Sequence, residues 1–164
     1  MTPDELKRKL DQVTREIAGM RGDILLAGVK DLEGRMKRRI FNEGKNSDDN
    51  KIGNYSKSWA EARKNGRPKG STPKGLQTSY IDLEFTGQLR RSITPAKDGN
   101  EAVLYINNDF DYQKSQWAEE QQGRKAGSGE MKIFDATKKE ERAVVRYIDD
   151  LFQEEIEKAF QKLR

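Results

Sequence analysis

Ser92-Ile93-Thr94-Pro95-Ala96-Lys97-Asp98-Gly99-Asn100-Glu101-Ala102-Val103-Leu104-Tyr105-Ile106 is the stretch on which the fold class turns. Ser92–Pro95 and Ala102–Ile106 read as two strands, and Lys97-Asp98-Gly99-Asn100 joins them. Asp-Gly is a strong hairpin turn signal. Alternation places Val103 and Tyr105 on one face of the second strand, with Leu104 and Ile106 on the other. Helical patterns lie on both sides of this hairpin, so the chain reads as α+β: a small, mostly antiparallel sheet with packed helices.

Before the hairpin, Thr2-Pro3-Asp4-Glu5 is a helix start. Thr2 caps, Pro3 fits the first helical position and Glu5 completes a capping box. Leu6, Leu10, Val13, Ile17, Met20 and Ile24 then recur in steps of four and three, an apolar stripe along a helix. Leu25, Val29, Leu32, Met36 and Ile40 carry a second, slightly rotated stripe. Gly19, Gly22 and Gly28 each weaken helix by about 1 kcal/mol relative to alanine, so two helical stretches are expected, 3–20 and 23–42, continuous or kinked. The heptad-like run is short for a coiled coil and is expected to be core packing or a subunit contact.

Beyond the hairpin, Tyr112–Gln122 reads as a helix with Tyr112 and Trp117 in the core. Gly123–Gly129 is a loop and Met131–Phe134 a short strand. Thr137-x-x-Glu140 is a second capping box. It opens an amphipathic helix marked by Val144, Ile148, Leu151, Phe152, Ile156, Ala159, Phe160 and Leu163.

Residues 43–79 stand apart, with glycines at 44, 53, 66, 70 and 75 and prolines at 68 and 73. They carry eight Lys/Arg against four acids, a net +4, whereas residues 80–137 carry seven bases against ten acids. A short helical turn capped by Ser56 is expected around Tyr55, Trp59 and Ala60. The rest reads as an extended flexible arm. The expected organisation is a single domain, 1–164, in three parts: N-terminal helical region 1–42, arm 43–79, and α+β core 80–164 ending in the C-terminal helix. The arm's roles are contact with a neighbouring subunit, nonspecific contact with DNA phosphates, with Tyr55 and Trp59 stacking on bases, or plain disorder.

Composition narrows function. The 164 residues are 33% hydrophobic and 37% charged, with mean hydropathy −1.04 and net charge +4. Ordinary domains are about 45–50% apolar, so the core is small for the length and burial supplied by partner subunits is expected. There are no cysteines and no histidines. That removes disulfides, thiolate chemistry, the commonest general base and the commonest transition-metal ligand. Asp82 with Glu84, and Asp109 with Asp111, are carboxylate pairs without calcium-loop spacing and read as turn caps. Gly127-Ser128-Gly129 lacks the lysine and context of a phosphate loop. No cofactor, metal or catalytic site is expected. No apolar run approaches the roughly 20 residues that span a bilayer, so no membrane contact is expected and synthesis in a cytoplasm is the default.

The order of features from about residue 36 to 160 resembles a known family. Ile40-Phe41 closes a helix, and Tyr55-Ser56 to Trp59 follow a polar loop. Leu83-Glu84-Phe85-Thr86-Gly87-Gln88-Leu89-Arg90-Arg91-Ser92 gives an L-x-x-T-G-x-L-x-x-S element. The strand Ala102–Ile106, the helix from Tyr112 to Gly123, and Lys132-Ile133-Phe134-Asp135-Ala136-Thr137 complete the series. This series is similar to the virion-morphogenesis, tail-completion and head–tail connector proteins of tailed bacteriophages. The resemblance implies a non-enzymatic virion subunit, made in the host cytoplasm. It implies assembly into a homo-oligomeric ring, six-fold or twelve-fold, against neighbouring portal, neck or tail-tube proteins, with genomic DNA passing through the lumen. The residues expected at the subunit interface are Tyr55, Trp59, Arg63, Lys64, Arg67 and Lys69 from the arm, and Phe85, Thr86, Gly87, Leu89, Arg90 and Arg91 from the central element. Thr86-Gly87 also has a plain structural reading, a turn and cap anchored by Leu83, Phe85 and Leu89. A nonspecific nucleic-acid-binding accessory protein is the alternative function.

Overall fold

The computed structural model describes residues 2–66, 75–84, 86–127 and 129–162. Among them the chain is α+β. Helices α1 (Pro3–Lys37), α2 (Lys57–Asn65), α3 (Gln88–Ser92), α4 (Asp109–Ala126) and α5 (Lys138–Gln161) surround one antiparallel hairpin, β1 (Ile93–Asp98) and β2 (Glu101–Ile106). The caps read from sequence are present. Thr2 with Glu5 and Thr137 with Glu140 form complete capping boxes, and Ser56 Oγ accepts from the Trp59 N–H.

Of the two alternatives for the N-terminal stretches, continuous or kinked, the structure takes the continuous one. α1 runs unbroken and passes into a π-helical turn, Arg38–Asn42. A wider turn of this kind re-aims side chains. Here it brings three consecutive residues, Arg39, Ile40 and Phe41, inside together. Two helical glycines mark where other elements touch α1. A Cβ on Gly22 would lie 2.6 Å from the Gly99 carbonyl of the hairpin turn, and one on Gly28 would lie 2.5 Å from Ile148 Cδ1 of α5. Their cost in helix propensity is offset by closer packing. Gly19 faces open space. Gly28→Val is therefore expected to destabilise the fold by about 1–3 kcal/mol through overpacking. Gly19→Ala should instead gain up to about 1 kcal/mol. Urea denaturation of the two variants checks the contrast.

The hairpin has the register Ile93↔Ile106 through Asp98↔Glu101. Asn107 N–H donates to the Ser92 carbonyl at 2.8 Å, so hydrogen-bonded pairs alternate from there. Pro95, opposite Leu104, falls between them, where its missing N–H breaks no ladder bond. Leu104 and Ile106 pack on the core, and Val103 and Tyr105 face outward, as the alternation predicts.

Residues 131–134 differ from expectation, for they form no strand. The Glu119 carboxylate of α4 accepts from the N–H groups of Ile133 (2.7 Å) and Phe134 (3.1 Å), and the Glu119 carbonyl accepts from Met131. A side chain satisfies the backbone that a neighbouring strand would otherwise have paired.

The core is Met36, Ile40, Phe41, Ile52, Ile81, Ile93 and Ile133, with Leu32, Leu83, Leu89, Leu104, Ile106 and Phe134 packed around it. It draws on all three sequence regions. Ile52 lies inside the stretch read as an arm, and its N–H donates to the Gly44 carbonyl beside a Lys45–Lys51 bridge. The described residues of 43–79 are thus folded onto the core rather than extended from it. Ile52, together with the buried polar Asn46 and Arg63, supplies the burial that the stretch's overall polarity concealed. Among the described residues no helix is long and apolar enough to cross a membrane.

Candidate functional site

α2 is a short helix with few apolar residues, and a buried ion pair anchors its last turn. Arg63 is fully buried at its last turn. Its Nη2 donates to both Asp82 carboxylate oxygens at 3.0 and 2.9 Å, Nη1 to the Glu84 carbonyl at 2.7 Å, and Nε to the Gln77 carbonyl at 2.9 Å. Its guanidinium lies over the Tyr55 ring, 4.5 Å from the centroid. Tyr55 Oη and Gln77 Nε2 donate to the same carboxylate at 2.7 and 2.6 Å. Asp82 is thus fully engaged, which is how a buried charge pair becomes tolerable. Burial, and the hydrogen bond to the carboxylate, push the Tyr55 phenol well above its ordinary pKa, so it remains a donor.

This network floors a groove of about 390 Å³, lined by Tyr55, Trp59, Arg63, Leu83, Trp117 and Ala118. A second groove of about 290 Å³ lies beside it, lined by Leu83, Thr86, Gly87, Leu89, Lys114 and Trp117. Trp117 stands between them, 63% exposed. Gly87, at φ +71, starts α3 in a left-handed conformation that favours glycine, and the Thr86 hydroxyl accepts from the Gln88 N–H.

Trp117 is the main correction to the sequence reading, which put it and Tyr112 in the core. α4 is turned the other way. Its buried residues are Asp111, Ser115, Ala118, Glu119, Gln122 and Gly123, a largely polar stripe at helical spacing, while Phe110 (63%), Tyr112 (54%) and Trp117 face outward. Each buried polar group on the stripe's first half has its own partner. Asn108 Nδ2 and Lys114 Nζ donate to Asp111 at 2.6 and 2.9 Å, Ser115 donates to the Tyr112 carbonyl, and Glu119 holds the 133–134 backbone. Burial opposes ionisation of Asp111, but the Asn108 and Lys114 contacts outweigh it and its carboxyl titrates below the usual carboxylate range. One sequence signal does point outward: Phe110 and Trp117 are seven residues apart, two turns along one helical face.

The other expected interface residues divide clearly. Tyr55 and Trp59 line the first groove, and Thr86, Gly87 and Leu89 the second. Arg63 is committed internally and is no surface cation. Lys64 is exposed at the end of α2. Arg90 pairs with Glu84 at 3.2 Å, and Arg91 donates to the Thr86 carbonyl at 3.2 Å. Arg67, Lys69 and Phe85 lie outside the described residues.

The carboxylates do not gather. Asp82 belongs to Arg63, Asp111 to Asn108 and Lys114, and Asp135 pairs with Lys132 at 3.2 Å. Among the described residues no group of three or more metal-ligating side chains comes together. Comparison with family models, curated proteins and solved structures gives no match.

Proposed function

We propose that this chain is a non-enzymatic structural subunit of a tailed-phage or prophage virion, a head–tail joining, neck or tail-completion protein that assembles into a homo-oligomeric ring. The observation that carries the reading is the outward face of α4 that presents Phe110 and Trp117, with Tyr112 exposed on a different side of the helix. An 18-residue helix that buries acids and amides while exposing Phe110, Tyr112 and Trp117 is suited to being covered by another protein surface. Six of the residues expected at the interface line the grooves on either side of Trp117, Arg63 among them in the floor of the first. An exposed tryptophan flanked by two grooves is the kind of anchor on which interfaces concentrate their energy. The nucleic-acid alternative draws less support, because Arg63 of the basic stretch is locked to Asp82 and unavailable to phosphate.

Trp117→Glu tests this directly. The side chain is mostly exposed, so circular dichroism and melting temperature are expected to stay near those of the parent chain. Sedimentation should show the oligomer weakened by about 2 kcal/mol or more per contact, roughly thirty-fold in dissociation constant. A folded Trp117→Glu chain that assembles as the parent does would refute the role given to this face. Nonspecific duplex binding that falls steeply with salt, in a chain that does not self-associate, would favour the alternative.

A further inference from the structure

α1 and α5 pack antiparallel. Arg39 meets Glu140 at one end, Gly28 meets Ile148 in the middle, and Glu16 meets Lys162 at 3.6 Å near the other end. Past that last pair, α1 continues from Gln12 back to Pro3, about 15 Å of helix at 1.5 Å per residue. The apolar stripe that buries Val13 continues onto this tip, where Leu6 and Leu10 are 41% and 40% exposed. At 100° per residue Lys7 and Lys9 stand on either side of the stripe. The tip, residues 3–12, carries Lys7, Arg8 and Lys9 against Asp4, Glu5 and Asp11, and of these six charges Lys7 and Lys9 stand nearest the stripe. Among the described residues nothing covers Leu6 and Leu10, so a surface docked there would remove apolar area from water.

The outer face of α5 has the opposite character. Val145, Ile156 and Phe160 are exposed, at 56%, 37% and 50%, and share one stripe with Asp149. Residues 149–157 contain Asp149, Asp150, Glu154, Glu155 and Glu157 and no base. Glu155 pairs with Lys158 at 2.6 Å; among the described residues the other four have no ion-pair partner. An apolar stripe set among lysines thus has its complement, an apolar stripe set among acids, elsewhere on the same chain.

We propose that the α1 tip of one copy docks on the acidic outer face of α5 of a second copy. The proposal rests on the ring-assembly reading and names one contact within it. The two patches differ, so the contact is head-to-tail, the type that closes into a ring when the rotation permits. It is independent of the Trp117 face. Its charges are exposed, so it weakens with salt.

Two charge-reversed chains test it, Lys7→Glu with Lys9→Glu, and Asp149→Lys with Glu157→Lys. Each is sedimented alone and in equal mixture, with circular dichroism to establish that the exposed substitutions leave the helices intact. Alone, each folded variant is expected to need about tenfold or more higher concentration to assemble, because every tip then meets a like charge. In the mixture each acidic tip finds a basic α5 and each basic tip an acidic one, and the parental mass should return. An assembling parent with variants that assemble equally well overturns this contact and leaves the ring reading standing, as does a mixture that fails to recover. A parent that stays monomeric overturns the ring reading, and this contact with it.

Discussion

Asp82→Ala is expected to cost about 3–5 kcal/mol of folding stability, the penalty for leaving one member of a buried ion pair without its partner. Arg63 would keep its two backbone acceptors, Gln77 and Glu84, but its charge would face no anion. Tyr55 and Gln77 would each lose an acceptor. Because α2 is anchored through this residue, the first groove beside Trp117 should loosen as well. Removing both charges with similar volume, Arg63→Met with Asp82→Leu, should cost clearly less than the sum of the two single changes, since neither leaves a stranded ion. Guanidinium denaturation of the parent, Asp82→Ala, the two single changes and the double variant measures this. A single Asp82→Ala loss below about 1 kcal/mol would mean that the pair behaves as a surface bridge.

Glu140→Ala should be comparably severe, for a different reason. The residue serves two ends at once. Its carboxylate accepts from Arg39 Nε at 2.9 and 3.2 Å, and Arg39 also reaches the Lys45, Ile133 and Asp135 carbonyls. The same carboxylate accepts from the Thr137 N–H at 2.7 Å, while the Thr137 hydroxyl accepts from the Glu140 N–H at 3.0 Å. Losing the buried partner costs about 3–5 kcal/mol, and losing half of a capping box adds about 1 kcal/mol. Thr137→Ala removes only the cap and should cost about 1 kcal/mol. Glu140→Gln keeps one acceptor oxygen for the two donors and no charge, and should fall between. Thermal melts that rank the three in any other order would show that cap and bolt are not joined in this one side chain.

Much of the architecture is legible in the residues because it is local. Thr2, Ser56 and Thr137 announce helix starts, Asp98-Gly99 announces the hairpin, and the Leu104/Ile106 alternation gives its inner face. These signals work within a few residues and survive without knowledge of the whole. What resists reading is polar burial. Nothing near Arg63 in sequence marks it as a buried bolt, because its partner Asp82 is nineteen residues away. The 43–79 stretch therefore looks like a charged arm although Ile52 and Arg63 tie it to the core. Trp117 fails for the converse reason. Aromatic residues are expected inside, and only the Asp111–Ser115–Glu119–Gln122 stripe, with partners supplied by residues 108 and 133–134, turns α4 over. Met131–Phe134 has strand composition, but Glu119 takes its N–H groups. Of the candidate site, Tyr55, Trp59, Thr86, Gly87 and Leu89 are brought together by the fold. Their convergence on one tryptophan is a tertiary fact that neither segment contains.

The claim on which the account depends is that outward-facing apolar surface on α4 and the helical tip is covered by further copies of the chain. Sedimentation velocity of the full chain across a wide concentration range, with electron microscopy of the same sample, measures it most directly. The account predicts one closed species, of fixed subunit number and ring-shaped in projection, whose mass does not grow further as concentration rises. A chain that sediments as a monomer up to its solubility limit, with Trp117 open to a soluble fluorescence quencher throughout, would contradict it.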